Sequence, residues 1–326
     1  MIALDANGAD RGPATVAAGG RASGVPVLLF GPAAELGDGP EVVDAPVAVS
    51  NEDEPALAVR ARPDSSIVQA ARAVADGRAG GFVSAGSTGA ALAAGLFHLK
   101  RMKGVHRPAV AVLLPVPGSP TLLLDAGANV ESRPEHLVQF AYMGSAFMEA
   151  VHAVERPRVG LLSNGEEAKK GTSLVVEAHD ALAGGPLEFV GNVEGGDIAG
   201  ASVDVVVADG FTGNVALKAV EGTAKAVVGA VRGAITASPT GMLAGLLLRR
   251  RLGGLREELS QDSVGGAILL GLRGVAVVAH GDASAQGIAN AVRLAQRAVD
   301  ERMIARTEAA LAAAGGRTPS APAVAG

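Results

Sequence analysis

Short runs of apolar residues, each closed by a small or polar residue, recur along this chain. Ile2–Leu4 ends at Asp5, Val25–Phe30 at Gly31, Val47–Val49 at Ser50 and Phe82-Val83 at Ser84. Ala109–Leu114 ends at Pro115, Leu122–Leu124 at Asp125, Val159–Leu162 at Ser163-Asn164 and Leu187–Val190 at Gly191-Asn192. Val203–Ala208 and Val275–Ala279 end at Asp209 and at His280-Gly281. Continuous rather than alternating apolar runs are the mark of strands buried on both faces. Segments of helical period lie between several of them. Ser65-Ser66 opens one that Gly77 stops, a second runs from Thr88 to Lys103, and Ser132, Pro134 and Glu135 open a third reaching about Val154. The segment Ala285–Ala314 is Ala-rich and amphipathic, and residues 315–326 carry no periodicity and read as a disordered tail. The pattern predicts an α/β fold, a three-layer α/β/α sandwich with a mostly parallel sheet, in one domain over residues 1–314. In such sheets ligands sit beyond the carboxyl ends of the strands, so the closing polar residues are expected to rim a single cleft.

The stretch from Val203 to Ile235 shows the unit most fully. A β-branched run breaks at Asp209-Gly210, and Gly213-Asn214 leads into a stripe of Val220, Ala224, Val227, Val228, Val231 and Ile235. Asn214 is the expected N-cap, with Gly210 and Gly213 turning the backbone sharply. A helix N-terminus after a Gly-rich loop aims N–H groups and the positive helix end at one spot, which suits an anion.

Composition narrows the class. The 326 residues contain no Cys and no Trp, so disulfides and thiolate chemistry are excluded. No apolar run approaches the roughly 18 residues a spanning helix needs, and the first residues have no leader character, so a cytosolic protein is expected. A formal charge of −5 argues against a nucleic-acid binder.

Several polar clusters could carry chemistry. Ser84-Ala-Gly86-Ser87-Thr88-Gly89 follows a strand and opens a helix. It reads either as a phosphate cradle or as a capped helix start, and it is neither a Walker A loop nor GxGxxG. Asp125-Ala-Gly127-Ala-Asn129 follows another strand. His136, in the first turn of the next helix, is either a polar cap or a neutral N–H donor of lowered basicity. Lys170, in Glu166-Glu167-Ala-Lys169-Lys170-Gly171, either faces solvent or reaches a phosphate as a point charge. His280-Gly281-Asp282 closes the last strand. The carboxylates Asp5, Asp10, Asp125 and Asp209 show no ligand spacing, so no metal is expected.

Seven motifs in order carry a resemblance. They are DANGADRGP, VSAGSTGA, LLLDAGANVESRPEHLVQFAYMG, VGLLSNGEEAKKGT, FVGNVEGGDI, VVVADGFTGNVALKAVEG and VGGAILLGLRGVAVVAHG. From Met1 to about Val299 the chain resembles the PlsX family of bacterial phosphate acyltransferases. The resemblance implies a homodimer that associates peripherally with the cytoplasmic membrane. It also implies transfer of an acyl group from acyl carrier protein to inorganic phosphate in phospholipid synthesis, without nucleotide, metal or organic cofactor. The family pattern differs at Asn7 and Ala9, at Arg62-Pro63, at Ser87 (an asparagine), at Gly196 (an arginine) and at Asp282-Ala283 (two serines). The added carboxylate of Asp282 is expected to oppose a nearby phosphate. The resulting assignment gives phosphate to the Ser84–Gly89 loop with Lys170, and the carbonyl oxygen to Asn214. Asn129, His136 and His280 are second choices, and Asp5, Asp125 and Asp209 line the same cleft. A phosphotransacetylase-like enzyme using acyl-CoA is the alternative, as is a silent scaffold that binds acyl carrier protein.

One further stretch, Ser238 to Ser260, has an apolar cluster at Met242, Leu243, Leu246, Leu247 and Leu248, followed by Arg249-Arg250-Arg251. Leu248, Leu252, Leu255 and Leu259 continue a helical stripe. It reads as a protruding helical tip over about 236–260, packed against a partner subunit or laid in a membrane interface, with the arginines meeting anionic head groups or the acidic carrier protein.

Overall fold

All but one of the ten apolar runs form strands, and their side chains alternate between two helical layers. The computed structural model describes residues 1–39, 41–114, 120–258 and 261–314. The first part of the chain holds β1 (Ile2–Asp5), α1 (Gly12–Ala22), β2 (Val27–Gly31), α2 (Ala33–Leu36), β3 (Val42–Asp44) and α3 (Pro55–Ala61). It continues through α4 (Ser66–Ala75), β4 (Gly81–Ser84), α5 (Thr88–Ala94), β5 (Ala109–Leu114), β6 (Thr121–Leu124) and α6 (Pro134–His152). Next come β7 (Arg158–Leu162), α7 (Ser173–Leu182), β8 (Glu188–Val193), β9 (Val205–Val207), α8 (Gly210–Thr236) and α9 (Pro239–Glu258). The last elements are α10 (Gln261–Val264), β10 (Ala267–Leu270), β11 (Val275–Val278), α11 (Ala285–Asp300) and α12 (Met303–Ala314).

The strands make one sheet in the order β3-β2-β1-β4-β11-β10-β5-β6-β9-β7-β8. β3, β2, β1, β4 and β11 are parallel, as are β6, β9, β7 and β8. Between the blocks, β11/β10, β10/β5 and β5/β6 are all antiparallel. Three reversals leave the two parallel blocks pointing in opposite directions. The expected single cleft is therefore corrected. Asp5, Ser84 and His280 emerge at one edge of the sheet; Asp125, Asp209 and the loop carrying Lys170 emerge at the other. Apolar periodicity reports burial and not strand direction, so the sequence pattern carries no trace of this.

On one face, residues of α1, α6, α7, α11 and α12 form a core with Leu4, Leu122, Leu124, Val159 and Val277. On the other, α3, α4, α5 and α8 pack on Ala3, Phe82, Val110, Leu123 and Val206. In α11 the Ser284 side chain accepts from the Gly287 N–H at the first turn, and Ile288, Ala291, Val292, Ala295 and Ala298 form the buried stripe. Ile288 and Val292 are fully buried, each contributing about 1.5–3 kcal/mol. A charge at Ile288 would break that face.

Other boundaries depart from expectation. Val47–Val49 is not a strand, whereas Val42–Asp44 and Ala267–Leu270 are. The Thr88 helix passes into a π-helical turn at Gly95–Leu99 and stops at Lys100, where φ is 67°. Gly95 lies so near Leu272 that a β-carbon would sit 2.6 Å from Leu272 Cδ1. The C-terminal helical segment is two helices, broken where Arg302 takes φ 51°. The expected tail, 315–326, lies outside the described residues, as do Leu259 and Ser260. α8 and α9 meet at an angle of 113°.

Candidate active site

Three adjacent strands, β6, β9 and β7, release their carboxyl ends side by side, and the densest polar structure lies there. Asp125 is fully buried after β6. Its Oδ1 accepts from the backbone N–H of Val110 (3.0 Å), Gly127 (3.3 Å) and Ala128 (3.0 Å). Its Oδ2 accepts from Asn129 N (2.7 Å) and Asn129 Nδ2 (2.8 Å). Burial raises the Asp125 pKa, and the bonds from Ala128, Asn129 and Val110 pull it back. The second amide proton of Asn129 goes to the carbonyl of Pro108 (2.8 Å). Asp125 and Asn129 thus build a rigid loop and offer no free donor to a ligand, which corrects Asn129 as a phosphate ligand.

The start of α8 docks on this loop. Asp209 is the N-cap: its Oδ1 accepts from Thr212 N at 2.9 Å and its Oδ2 from Thr212 Oγ1 at 2.6 Å. The capping role expected of Asn214 is therefore corrected. Gly210 N–H donates to the Asn129 carbonyl, and Gly213 N–H closes the first turn on Asp209. Both glycines stand where a side chain would strike the Asp125–Asn129 loop, so they serve close approach and not a turn. Asn214, in the second turn, is exposed, lies beside Gly127, and its side chain makes no hydrogen bond among the described residues. Its amide is available.

After β7, Lys170 is exposed and has no ion pair among the described residues. Its carbonyl accepts from Asn192 Nδ2 (3.4 Å), as does that of Glu167 (2.8 Å). Asn192 Oδ1 and Ser163 Oγ are buried beside this loop without partners among the described residues. The sequence pattern marked both only as strand-closing polar residues; that β7 and β8 run side by side, with Leu161 opposite Asn192, is visible only in the register.

His136 is buried in the first turn of α6, where its Nδ1 accepts from Arg133 N at 3.2 Å. The neutral ring therefore carries its proton on Nε2. Burial, then the charges of His106, Arg107 and Arg133, lower its pKa against the opposing pull of Glu135. One ligand atom from each of His106, Glu135 and His136 lies within 4.8 Å of the others, close enough to hold a metal ion. The arginines that depress His136 oppose a divalent cation by the same field.

The opposite edge holds the Ser84–Gly89 loop. Ser84 Oγ donates to Asp5 Oδ2 (2.7 Å) and accepts from Gly86 N (3.1 Å), so neither donor faces a ligand. Asp5 is buried, and burial pushes its carboxyl up to about 6 against hydrogen bonds from Ser66, Ser84 and Asn7. The cavity it shares with Asn7, Ser66, Gly86 and Ser87 has room for about one water molecule. Ser87 caps α5 by accepting from Ala90 N, which leaves Thr88 exposed and Gly89 part-exposed at the rim. β4 lies six strand spacings from β7, about 29 Å at 4.8 Å each. This loop and Lys170 therefore do not converge on one phosphate within a chain, which corrects the joint assignment. His280 is exposed at this same edge, its Nδ1 accepting from Asp282 N. Asp282 is neutralised by Arg11 (2.8 Å), so its carboxylate does not stand alone as an anion-repelling charge.

Comparison with known proteins fits this architecture. The model of a family described as fatty acid synthesis protein matches residues 1–306. The phosphate acyltransferase of Pelotomaculum thermopropionicum is 41% identical over 316 residues, covering 93% of this chain and 92% of its own. That of Leptospira biflexa is 42% identical over 323 residues, covering 93% and 95%. A phosphotransacetylase from Streptococcus pyogenes shares the fold at a TM-score of 0.60 and 16% identity, covering 92% of this chain and 94% of that one. With near-full coverage on both sides at over 40% identity, the chain belongs to the phosphate acyltransferase family.

Proposed function

We propose that the chain transfers a fatty acyl group from acyl carrier protein to inorganic phosphate, giving acyl phosphate for phospholipid synthesis. Family membership supports the acyl transfer. The observation that carries the mechanism is the free amide of Asn214, held against the rigid Asp125 loop by Gly210 and Gly213. A phosphate oxygen attacks the thioester carbonyl carbon, forming a C–O bond and a tetrahedral oxyanion. The oxyanion collapses, the C–S bond breaks, and the thiolate leaves and takes a proton from water. Phosphate near neutral pH is already a competent nucleophile, so position and charge are what the protein supplies. In this reading Asn214 donates to the oxyanion, Lys170 on the neighbouring loop holds phosphate, and the neutral Nε2–H of His136 is a further donor at that edge.

The exposed arm of α8 and α9 belongs to the same reading. Val227, Val228 and Val231 on α8 and Met242, Leu243, Leu246, Leu247 and Leu248 on α9 are exposed. No single described helix is long and apolar enough to cross a membrane. In our reading the α8 valines meet a second copy in a homodimer, and the leucine tip of α9 lies in the cytoplasmic membrane surface. Arg249, Arg250 and Arg251 continue α9, with side chains outside those described, and face anionic head groups or carrier protein in this proposal. Mass spectrometry of the products from acyl-acyl carrier protein and phosphate tests the reaction. Acyl phosphate is expected; its absence there, with turnover on acyl-CoA instead, would overturn the donor.

A further inference from the structure

Lys170 sits on a loop whose backbone is held by one side chain of a neighbouring strand. The carbonyl of Glu167 accepts from Lys170 N (2.9 Å), closing a four-residue turn, and also from Asn192 Nδ2 (2.8 Å). The same amide group donates to the carbonyl of Lys170 itself (3.4 Å). Asn192 lies on β8, the edge strand, where it is 6% exposed and pairs with Leu161 of β7. Its own backbone is therefore fixed by the sheet. The loop is held again one residue past the lysine. Gly171 takes φ 101°, and a β-carbon there would sit 2.9 Å from Ser163 Oγ and 3.0 Å from Val175 Cβ. Glu167 and Gly171, on either side of Lys170, are thus two fixed points.

A carboxamide is a poor choice here for stability alone. Its Oδ1 is buried with no partner among the described residues, and an unsatisfied buried acceptor is destabilising. Leucine, close to it in shape, would remove that acceptor, and the Glu167 carbonyl would keep the Lys170 N–H. What leucine lacks is a donor for the loop. We propose that Asn192 is a positioning residue, which orders the Lys170 loop before phosphate arrives. A loop ordered on binding weakens affinity, and one ordered beforehand does not. Asn192 acts on phosphate only through Lys170, so the inference rests on the reading that Lys170 holds phosphate.

Trypsin and steady-state kinetics test the two separately. Trypsin cleaves after Lys169 and Lys170, both exposed, at a rate set by how often the loop opens. In Asn192→Leu, cleavage there should speed up at least about tenfold, with the melting temperature kept. The phosphate KM should rise about five- to tenfold, while kcat and the acyl-donor KM change less than about twofold. In a Lys170→Ala background, Asn192→Leu should add nothing to the phosphate KM, because no ammonium group is left to position. If Asn192→Leu melts early, Asn192→Ala removes the same donors without crowding β8. An unchanged phosphate KM in a folded variant overturns the positioning role; the phosphate reading stands if Lys170→Ala still raises that KM. A normal phosphate KM in Lys170→Ala overturns the phosphate reading, and the trypsin rate then decides alone whether Asn192 holds the loop. Equal losses from Asn192→Leu with and without Lys170 would make its role merely structural and overturn the proposal.

Discussion

The backbone of Gly213 runs against the carbonyl oxygen of Asp125, so closely that a β-carbon there would sit 2.0 Å from it. No side-chain rotation relieves such a contact, because the clashing atom is main chain. Gly213→Ala should therefore push α8 off the Asp125 loop and cost about 1–3 kcal/mol, the range of overpacked sites. Gly222→Ala lies later in the same helix with nothing within 4 Å. It should instead stabilise by about 0.5–1 kcal/mol, because alanine loses less backbone entropy. Urea unfolding of both proteins checks the pair; equal effects would sink the close-approach account.

Asn214 and Asp209 now have separable roles. Asp209 caps α8, so Asp209→Ala should lower stability by about 1 kcal/mol. Asn214 caps nothing, so Asn214→Ala should leave the melting temperature in place. Its kcat should fall about a hundredfold or more, the loss expected for an oxyanion donor. An Asn214→Ala protein that melts early but turns over normally would return the residue to a structural role.

Lys170 stands exposed and without an ion pair among the described residues, on the loop after β7, the strand that neighbours β9. Lys170→Ala should raise the KM for phosphate at least about tenfold, a loss of roughly 1.4 kcal/mol, while the acyl-donor KM stays put. Arginine at this position should restore part of the effect. Initial rates at limiting phosphate measure it, and an unchanged phosphate KM argues that Lys170 only faces solvent.

Asp5 makes a pH prediction. Its carboxyl moves from the ordinary 3.8 to about 6 in the folded protein, chiefly by burial. Between those values the native state holds a proton that the unfolded chain has lost, so stability falls as pH rises through the window and levels off above it. The loss is on the order of 3 kcal/mol at 1.36 kcal/mol per unit. Asp5→Asn keeps an acceptor for the Ser84 hydroxyl and has no proton to lose. Unfolding free energies of both proteins from about pH 4 to 7 should therefore diverge as pH rises, with wild type falling more. Parallel curves would show that Asp5 is ionised throughout.

The sequence made the strands legible because strands buried on both faces are written as unbroken apolar runs, Ala109–Leu114 to the residue. β10 escaped because Ala267–Leu270 is a four-residue run between Gly265-Gly266 and Gly271, all at positive φ, and reads locally as a loop. Strand direction escaped entirely, and with it the division of the polar residues between two edges. Capping at Asp209 was obscured because Gly210 and Gly213 resemble a turn; their cause is Asp125, more than eighty residues away, which no local pattern reports. The Ser84–Gly89 motif was visible as a helix start after a strand. That Asp5 engages its hydroxyl was not, since β1 and β4 become neighbours only in the sheet.

The arm of α8 and α9 offers the last test. Leu247 is 79% exposed and Leu246 64%, more than any other large apolar side chains described apart from Val130 and Leu57. An apolar tip of this size in water costs free energy that only a partner surface or a lipid interface recovers. The triple arginine that follows would be worth about 1 kcal/mol each near anionic lipid. Exposure is also divided along the arm: the valines lie on the outer half of α8, past its buried Gly210, Gly213 and Leu217, and the leucines on α9 beyond the 113° bend. Dimer and membrane contacts can thus be perturbed independently. Leu247→Glu with Leu248→Glu should release the protein from anionic liposomes in flotation and leave its mass in light scattering unchanged. Val227→Glu with Val231→Glu should do the reverse, reducing the mass while the tip still floats. Loss of the dimer on mutating the leucines, with flotation retained, would place α9 in the subunit interface and remove the arm from the membrane.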